Sequence, residues 1–468
     1  MSLSRRDFLR YSGIGLGSLM LPMGMPFTAR AQAAGGPSKT LVVIFLGGGA
    51  DGLNLVIPRD DPAYDARRMG FEGMWWDPVA ANQLGSSGWE MHPEFVQSTP
   101  GGLGRLKELF DAGDLSVVQA VGGTASRSHF QARDAMERAN PDAPYDDANG
   151  WLYRTLQQLD LKGGELRTDI PVLSSITLGK SLQGSLYGDN VVHSLAFPNL
   201  ASFAIHGAVS SAVRAQREAA MLAMYDAPGS ASPPDLVRRA GAGALSATGE
   251  LNGLAAGLGD GVFESGGWNG FNNVLRDAAR LIRAEEIIQS DPGVRIIALD
   301  MGGWDHHSQQ GPDLDRMARS LAIGLAGFRR LLAAPIGGSS SDALDDTMVL
   351  AMTEFGRTVR PNKDNGTDHG TGSVMFAMGG GNFRGGEVFS LGSPDGMGGQ
   401  QGVTMGNGRL FPGLGDGQLF EDRDLAATTD FRDVFDDVLR NFLGLTGGEV
   451  DPVLRSHTVT AGYESMFS

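Results

Sequence analysis

The chain of 468 residues contains no cysteine. That single absence excludes disulfide staples, thiolate metal ligands and thiol nucleophiles together. A chain of this length buries enough core to do without staples. Beyond residue 33 it also lacks any apolar run long enough to cross a bilayer, so no stable membrane span is expected and the mature protein should be soluble. A basic stripe is missing too, and the formal net charge is −16 at pH 7. Such a surface repels nucleic acid and anionic lipid. It would repel anionic substrates as well, unless cations sit in the site. No internal repeat is found.

What is present begins with an address. Ser4-Arg5-Arg6-Asp7-Phe8-Leu9-Arg10 is followed by a Gly-rich apolar stretch from Ile14 to Phe27, then by Ala29-Arg30-Ala31 or Ala31-Gln32-Ala33. A paired arginine, a short uncharged region and a small-x-small cleavage site together read as a twin-arginine export signal over residues 1–33. The expected partner is the twin-arginine translocation machinery, and the mature protein is expected in the periplasm or outside the cell. Residues 1–31 hold four arginines and one aspartate, so their removal makes the chain three charges more negative.

From residue 34 the chain reads as one domain. Thr40 to Leu46 is a continuous apolar run of strand length, and a strand that is apolar on both faces belongs in a parallel sheet covered by helices. Similar runs recur at Leu115–Val121, Pro171–Leu178, Val294–Leu299, Thr347–Met352 and Ser373–Met378. Helical stripes lie between them: Leu103, Leu106 and Phe110; Leu314 through Leu332; and Phe431 through Phe442, with Thr429 or Asp430 as its N-cap. The Ala-rich stretch 209–290 reads as an inserted helical subdomain or lid. Alternating strands and helices predict an α/β layered sheet.

In such a sheet ligands sit beyond the carboxyl ends of the strands. There the chain places Asp51, the segment Ser126-Arg127-Ser128-His129-Phe130 that leads into a helix, Asp305-His306-His307, Glu354-Phe355-Gly356-Arg357 and Asp368-His369. Each has a plain structural explanation taken singly, as a turn former, helix cap or salt bridge. Together they supply oxygen and imidazole ligands for a divalent metal, with zinc foremost and manganese or iron as alternatives. Asp305 and His307, two apart at a strand end, can point the same way. Cations would also make an acidic protein hospitable to a small anionic ester. A hydroxyl at the helix N-terminus, Ser128 or Ser126, is then placed as a nucleophile.

These motifs, with Gly49-Ala50-Asp51-Gly52-Leu53-Asn54 and Thr429-Asp430-Phe431-Arg432-Asp433-Val434, resemble domain of unknown function 1501 over nearly the whole mature chain. That family is similar to the alkaline phosphatase and sulfatase superfamily. The resemblance implies an alkaline-phosphatase-like three-layer sandwich with a mostly parallel central sheet. It implies one metal held by Asp305, His307 and His369, and another by Asp51, Glu354 and Ser128, with Asp368 serving either. Where the superfamily has Asp-His after the next strand, this chain has Glu354-Phe355.

The leading expectation is an exported metal-dependent hydrolase of phosphate or sulfate esters. Ser128 would be its nucleophile, and Arg127 or Arg357 would clamp the anion. The alternative is a periplasmic metal-binding or structural protein that kept the fold without turnover, a reading the Phe355 departure favours.

Overall fold

The computed structural model describes residues 39–468 apart from 72, 97–104, 144, 146–147, 163–164, 167–172, 189–193, most of 204–268, 289–292, 337–340 and 393–401. The export segment and most of the expected insertion therefore lie outside the described residues.

Six of the strands in the central sheet fall on the apolar runs. They are β1 (Thr40–Phe45), β2 (Leu115–Gly122), β3 (Ser175–Leu178), β5 (Ile296–Asp300), β6 (Thr347–Met352) and β7 (Ser373–Gly379). Three further short strands, β4 (Ser194–Phe197), β8 (Val388–Phe389) and β9 (Thr429–Asp430), complete the nine. The order across the sheet is β8-β2-β7-β6-β1-β5-β3-β4, with β9 beside β2. All pairs are parallel except those of β7, which runs antiparallel to both β6 and β2. The carboxyl ends of β1, β2, β3, β5 and β6 consequently share one edge.

Alternation along β1 shows why the sheet is covered on both sides. Val42 and Ile44 enter one apolar cluster, while Leu41, Val43 and Phe45 enter the other. Successive side chains of a strand point to opposite faces, so an unbroken apolar run needs a layer on each. The first face is closed by α2 (Leu106–Asp111), α5 (Asn269–Ile282) and α6 (Gln310–Ala333), through residues such as Leu106, Leu275 and Phe328. The second is closed by α4 (Trp151–Asp160), α7 (Phe431–Asp437) and α8 (Gly447–Leu454), through Trp151, Phe435 and Val453. This is a three-layer α/β arrangement. Two more helices, α1 (Pro62–Arg68) and α3 (His129–Glu137), pack near the sheet's carboxyl edge and carry side chains used below.

Helix starts follow local chemistry. Asp61 caps α1 by accepting from the Ala63 N–H, and Asp430 caps α7 by accepting from the Arg432 N–H, as its position before the apolar stripe predicts. The C-terminal end of the stretch read as an insertion behaves as core: Phe271, Leu275 and Ala278 of α5 are buried with α6. Among the described residues no helix is long and apolar enough to cross a membrane.

Candidate metal centre

The loops after β1, β5 and β6 meet at the sheet edge because glycine lets their backbones touch. Gly48 has φ +127°, and a Cβ there would fall 2.5 Å from the Asp305 nitrogen. The Gly48 N–H instead donates to Glu354 Oε1 at 2.9 Å, tying the loop after β1 to the end of β6. Buried Arg357 knits the same junction. Its guanidinium donates to the carbonyls of Gly48, Gly49, Trp304 and Thr367 and to Asp305 Oδ1.

On this platform His129, Asp305 and His369 each present one ligand atom, and the three atoms lie within 4.8 Å of one another. His129 Nδ1 is 2.7 Å from Glu354 Oε1, which leaves Nε2 3.3 Å from Asp305 Oδ2. His369 Nδ1 is 2.8 Å from the Arg127 carbonyl, which leaves Nε2 3.1 Å from Asp305 Oδ1. An acceptor on Nδ1 fixes the tautomer with a bare Nε2, the form that ligates metals. His307 repeats the pattern, with Nδ1 on Asp368 Oδ1 at 3.3 Å and Nε2 3.1 Å from Asp305 Oδ1. The two Nε2 atoms of His307 and His369 face each other at 2.9 Å.

These separations suit an ion. A tetrahedral zinc with bonds of about 2.0–2.1 Å holds its ligand atoms about 3.3 Å apart. Two bare imidazole nitrogens at 2.9 Å repel unless a proton or a cation lies between them. The Asp305 and His307 side chains are 45% and 46% exposed, so the cluster is open on one side, as a site that must admit a substrate requires.

Electrostatics sharpen the picture. Partial burial works against ionisation of Asp305, but the Arg357 hydrogen bond and charge, with the contact to His369, outweigh it and hold the carboxyl far below its usual range. Burial raises Glu354 as well, yet the His129 and backbone hydrogen bonds bring it below its ordinary value. The Glu354 hydrogen bond in turn raises His129. Desolvation lowers His369, favouring its neutral, ligating form. Asp368, despite some burial, is lowered by hydrogen bonds with Asn362 and His307.

The geometry redistributes several residues expected to ligate or catalyse. Asp51 is buried and committed: its oxygens lie 2.7 and 3.2 Å from the Arg68 guanidinium, and Gln310 Nε2 donates to it at 2.6 Å. That pairing ties α1 to α6, and Asp51 is not among the residues brought together around Asp305. Glu354 orients His129, and Asp368 orients His307; both stand behind the imidazoles. Arg357 has its donors filled by protein groups, and Arg127 pairs with Asp424 and Glu421 at 2.8 and 2.6 Å. Ser126 Oγ donates to Gln131 Oε1 at 2.7 Å, whereas Ser128, the exposed N-cap residue of α3, makes no capping bond with its side chain.

His129 is the residue that reading the sequence for ligands overlooked. It sits in the quoted Ser128-His129-Phe130 motif, and its signal was available: an imidazole in the first turn of a helix that begins at a strand's carboxyl edge. His306, in contrast, is buried, and desolvation lowers its pKa.

A cavity of ≈ 470 Å³ opens beside the cluster, lined by Gly47, Gly48, His129, Phe130, Arg133 and Glu354 among others. Phe130 stands at its rim, 83% exposed.

Residues 242–454 match the family described as Protein of unknown function (DUF1501). The matched span holds Asp305, His307, Glu354, Asp368 and His369 and leaves His129 outside it. It supports the family resemblance drawn from the motifs. No curated protein and no solved structure matches the chain.

Proposed function

We propose that the protein is an exported, metal-dependent hydrolase of phosphate or sulfate esters. The observation that carries this reading is the convergence of three Nδ1-anchored imidazoles, His129, His307 and His369, on the Asp305 carboxylate. The two imidazoles of His129 and His369 with the Asp305 carboxylate, whose ligand atoms lie within 4.8 Å of one another, suit zinc, with manganese and iron as alternatives. A divalent ion held there supplies Lewis-acid polarisation of an ester oxygen and offsets the chain's negative charge.

The chain's own residues supply the rest. Ser128, next to His129 at the start of α3, carries the hydroxyl proposed to attack phosphorus or sulfur; the ester's alkoxide leaves as the alcohol with the proton the serine gives up, and water then cleaves the seryl ester to release phosphate or sulfate. The free N–H groups of the first helical turn stabilise negative charge on oxygen beside it. Glu354 and Asp368 hold two of the imidazoles in their ligating tautomer. Arg357 positions Asp305 and fastens three loops. The twin-arginine segment supports export in folded form, with the translocation machinery as partner.

A second reading, a metal-binding protein without turnover, draws on the pairing of Arg127 with Asp424 and Glu421 and of Arg357 with backbone carbonyls and Asp305. One experiment separates the two. Zinc-loaded protein is assayed on 4-nitrophenyl phosphate and 4-nitrophenyl sulfate beside its Asp305→Ala and Ser128→Ala variants, with metal content measured in each. The hydrolase reading expects turnover in the parent, loss of metal and turnover in Asp305→Ala, and loss of turnover with metal retained in Ser128→Ala. Bound metal with no turnover in the parent supports the second reading, and turnover undiminished in Ser128→Ala removes that serine.

A further inference from the structure

Asp424 is fully buried, and two guanidiniums share it. Arg127 Nε lies 2.8 Å from its Oδ2, and Arg423 Nε lies 2.9 Å from its Oδ1. Both arginines also touch His369, one of the three residues gathered at the candidate metal position. The Arg127 carbonyl lies 2.8 Å from His369 Nδ1, and Arg423 Nη2 donates to the His369 carbonyl at 2.9 Å. One buried carboxylate thus fixes two cations against a single metal-facing histidine.

The two cations are not equivalent. Arg127 has a second carboxylate, Glu421, at 2.6 Å, and its guanidinium lies over the Phe420 ring. Arg423 has, among the described residues, no carboxylate except the one it shares with Arg127, and its side chain is 45% exposed. Its Nε and Nη2 are taken by Asp424 and His369, while Nη1 has no hydrogen-bond partner among the described residues. A planar guanidinium pinned along one edge keeps its remaining donors in a fixed direction, which suits an oxoanion.

The backbone is built to hold Arg423 in place. Glu421 and Asp422 have φ of +52° and +53°. Two successive left-handed residues other than glycine are costly and persist where the surroundings over-determine them. Here the Arg423 N–H donates to the Phe420 carbonyl at 3.1 Å, and the Arg423 carbonyl accepts from the Val359 N–H at 3.1 Å. Arg423 lies in a turn between β8 and β9, away from the strand-end motifs that pointed to Arg127 and Arg357.

We infer that Arg423 is the anion-binding residue beside the metal position, its Nη1 N–H groups holding an oxygen of a tetrahedral oxoanion. That oxoanion is the ester group of a substrate or the inorganic ion released from it. Asp424 acts as the positioning residue. The ester part rests on the hydrolase reading, whereas capture of the free ion does not. In a chain of net charge −16, a fixed and exposed cation gives the anion a local point of attraction.

The test reads binding separately from turnover. Zinc-loaded protein, freed of excess metal, is titrated calorimetrically with inorganic phosphate and, in a second arm, with inorganic sulfate. The parent is expected to bind at least one of them, and the arm that binds identifies the oxoanion. Arg423→Ala should lower that affinity about tenfold or more, the loss that follows removal of a charge-assisted contact, with zinc content unchanged. Asp424 keeps Arg127 as its partner in this variant. Arg423→Lys, which keeps the charge without the planar donors, should fall between the two and repeats the test if the alanine variant misfolds. A parent that binds neither ion, variants that bind as the parent does, or affinity lost only together with zinc overturn the inference. Failure of the hydrolase reading would show instead as absent aryl-ester turnover, with Arg423-dependent oxoanion binding intact.

Discussion

Replacing Asp51 by asparagine separates a structural carboxylate from a metal ligand. Arg68 is fully buried, and Asp51 is its charge partner through contacts of 2.7 and 3.2 Å. Gln310 adds a third hydrogen bond at 2.6 Å. Removing one member of a buried pair leaves the other charge uncompensated and costs about 3–5 kcal/mol. Asparagine keeps one acceptor oxygen for Arg68 or Gln310, which places the expected loss near the lower end, about 3 kcal/mol. The assay is urea unfolding of metal-free parent and Asp51→Asn, followed by tryptophan fluorescence. The pH dependence has a definite sign. Burial pushes the Asp51 carboxyl up, but the Arg68 charge and hydrogen bonds, with that of Gln310, outweigh it and hold it below its ordinary value. A depressed folded pKa gives stability that is present above the unfolded value, about 3.9, and disappears as pH falls through the folded one. The variant should therefore lack the parent's extra stability at neutral pH and converge with it in strong acid. Metal content at saturating zinc should be unchanged. A variant of parental stability, within about 0.5 kcal/mol, that no longer binds metal would refute this assignment and return Asp51 to the metal.

Further outcomes follow from the same geometry. Glu354→Gln weakens the anchor on His129 Nδ1 and should reduce zinc affinity roughly 10–100-fold, measured by competition with a chromogenic chelator; unchanged affinity would mean that His129 is not a ligand. The Glu354 contact raises His129, so in the metal-free chain its contribution to stability is full below the unfolded pKa, about 6.5, and is lost as pH rises through the folded value. Zinc binding should follow the opposite course, strengthening as the imidazoles lose their protons, and titrations at several pH values check both directions. Arg5→Lys/Arg6→Lys should leave the chain in the cytoplasm, read by cell fractionation, whereas undisturbed export would sink the proposed route.

The strands were the most legible part of the fold. Thr40–Phe45 and Thr347–Met352 are runs so apolar that only a doubly covered sheet accommodates them. The direction of β7 was not legible, because an apolar run such as Ser373–Gly379 reads alike whichever way the chain passes through the sheet. At the site, the Asp305-His306-His307 and Asp368-His369 clusters stood out because imidazole and carboxylate crowd a strand end. His129 did not, since a sequence alone cannot say which of two neighbours at a helix start faces inward. Here Ser128 takes the outward N-cap position and His129 turns toward Glu354. The fate of Asp51 depended on Arg68, an ordinary surface residue to judge by its neighbours, whose burial is set by packing between α1 and the Val359 loop.

The central claim is that His129, Asp305 and His369 hold one divalent ion, with His307 at its edge. X-ray absorption spectroscopy at the zinc edge, on protein loaded with zinc and freed of excess, tests it directly. One tightly held zinc per chain is predicted, with at least two imidazole nitrogens and one carboxylate oxygen, and one imidazole fewer in His129→Ala. A zinc environment without histidine, or a chain that retains no metal after dialysis, would contradict it.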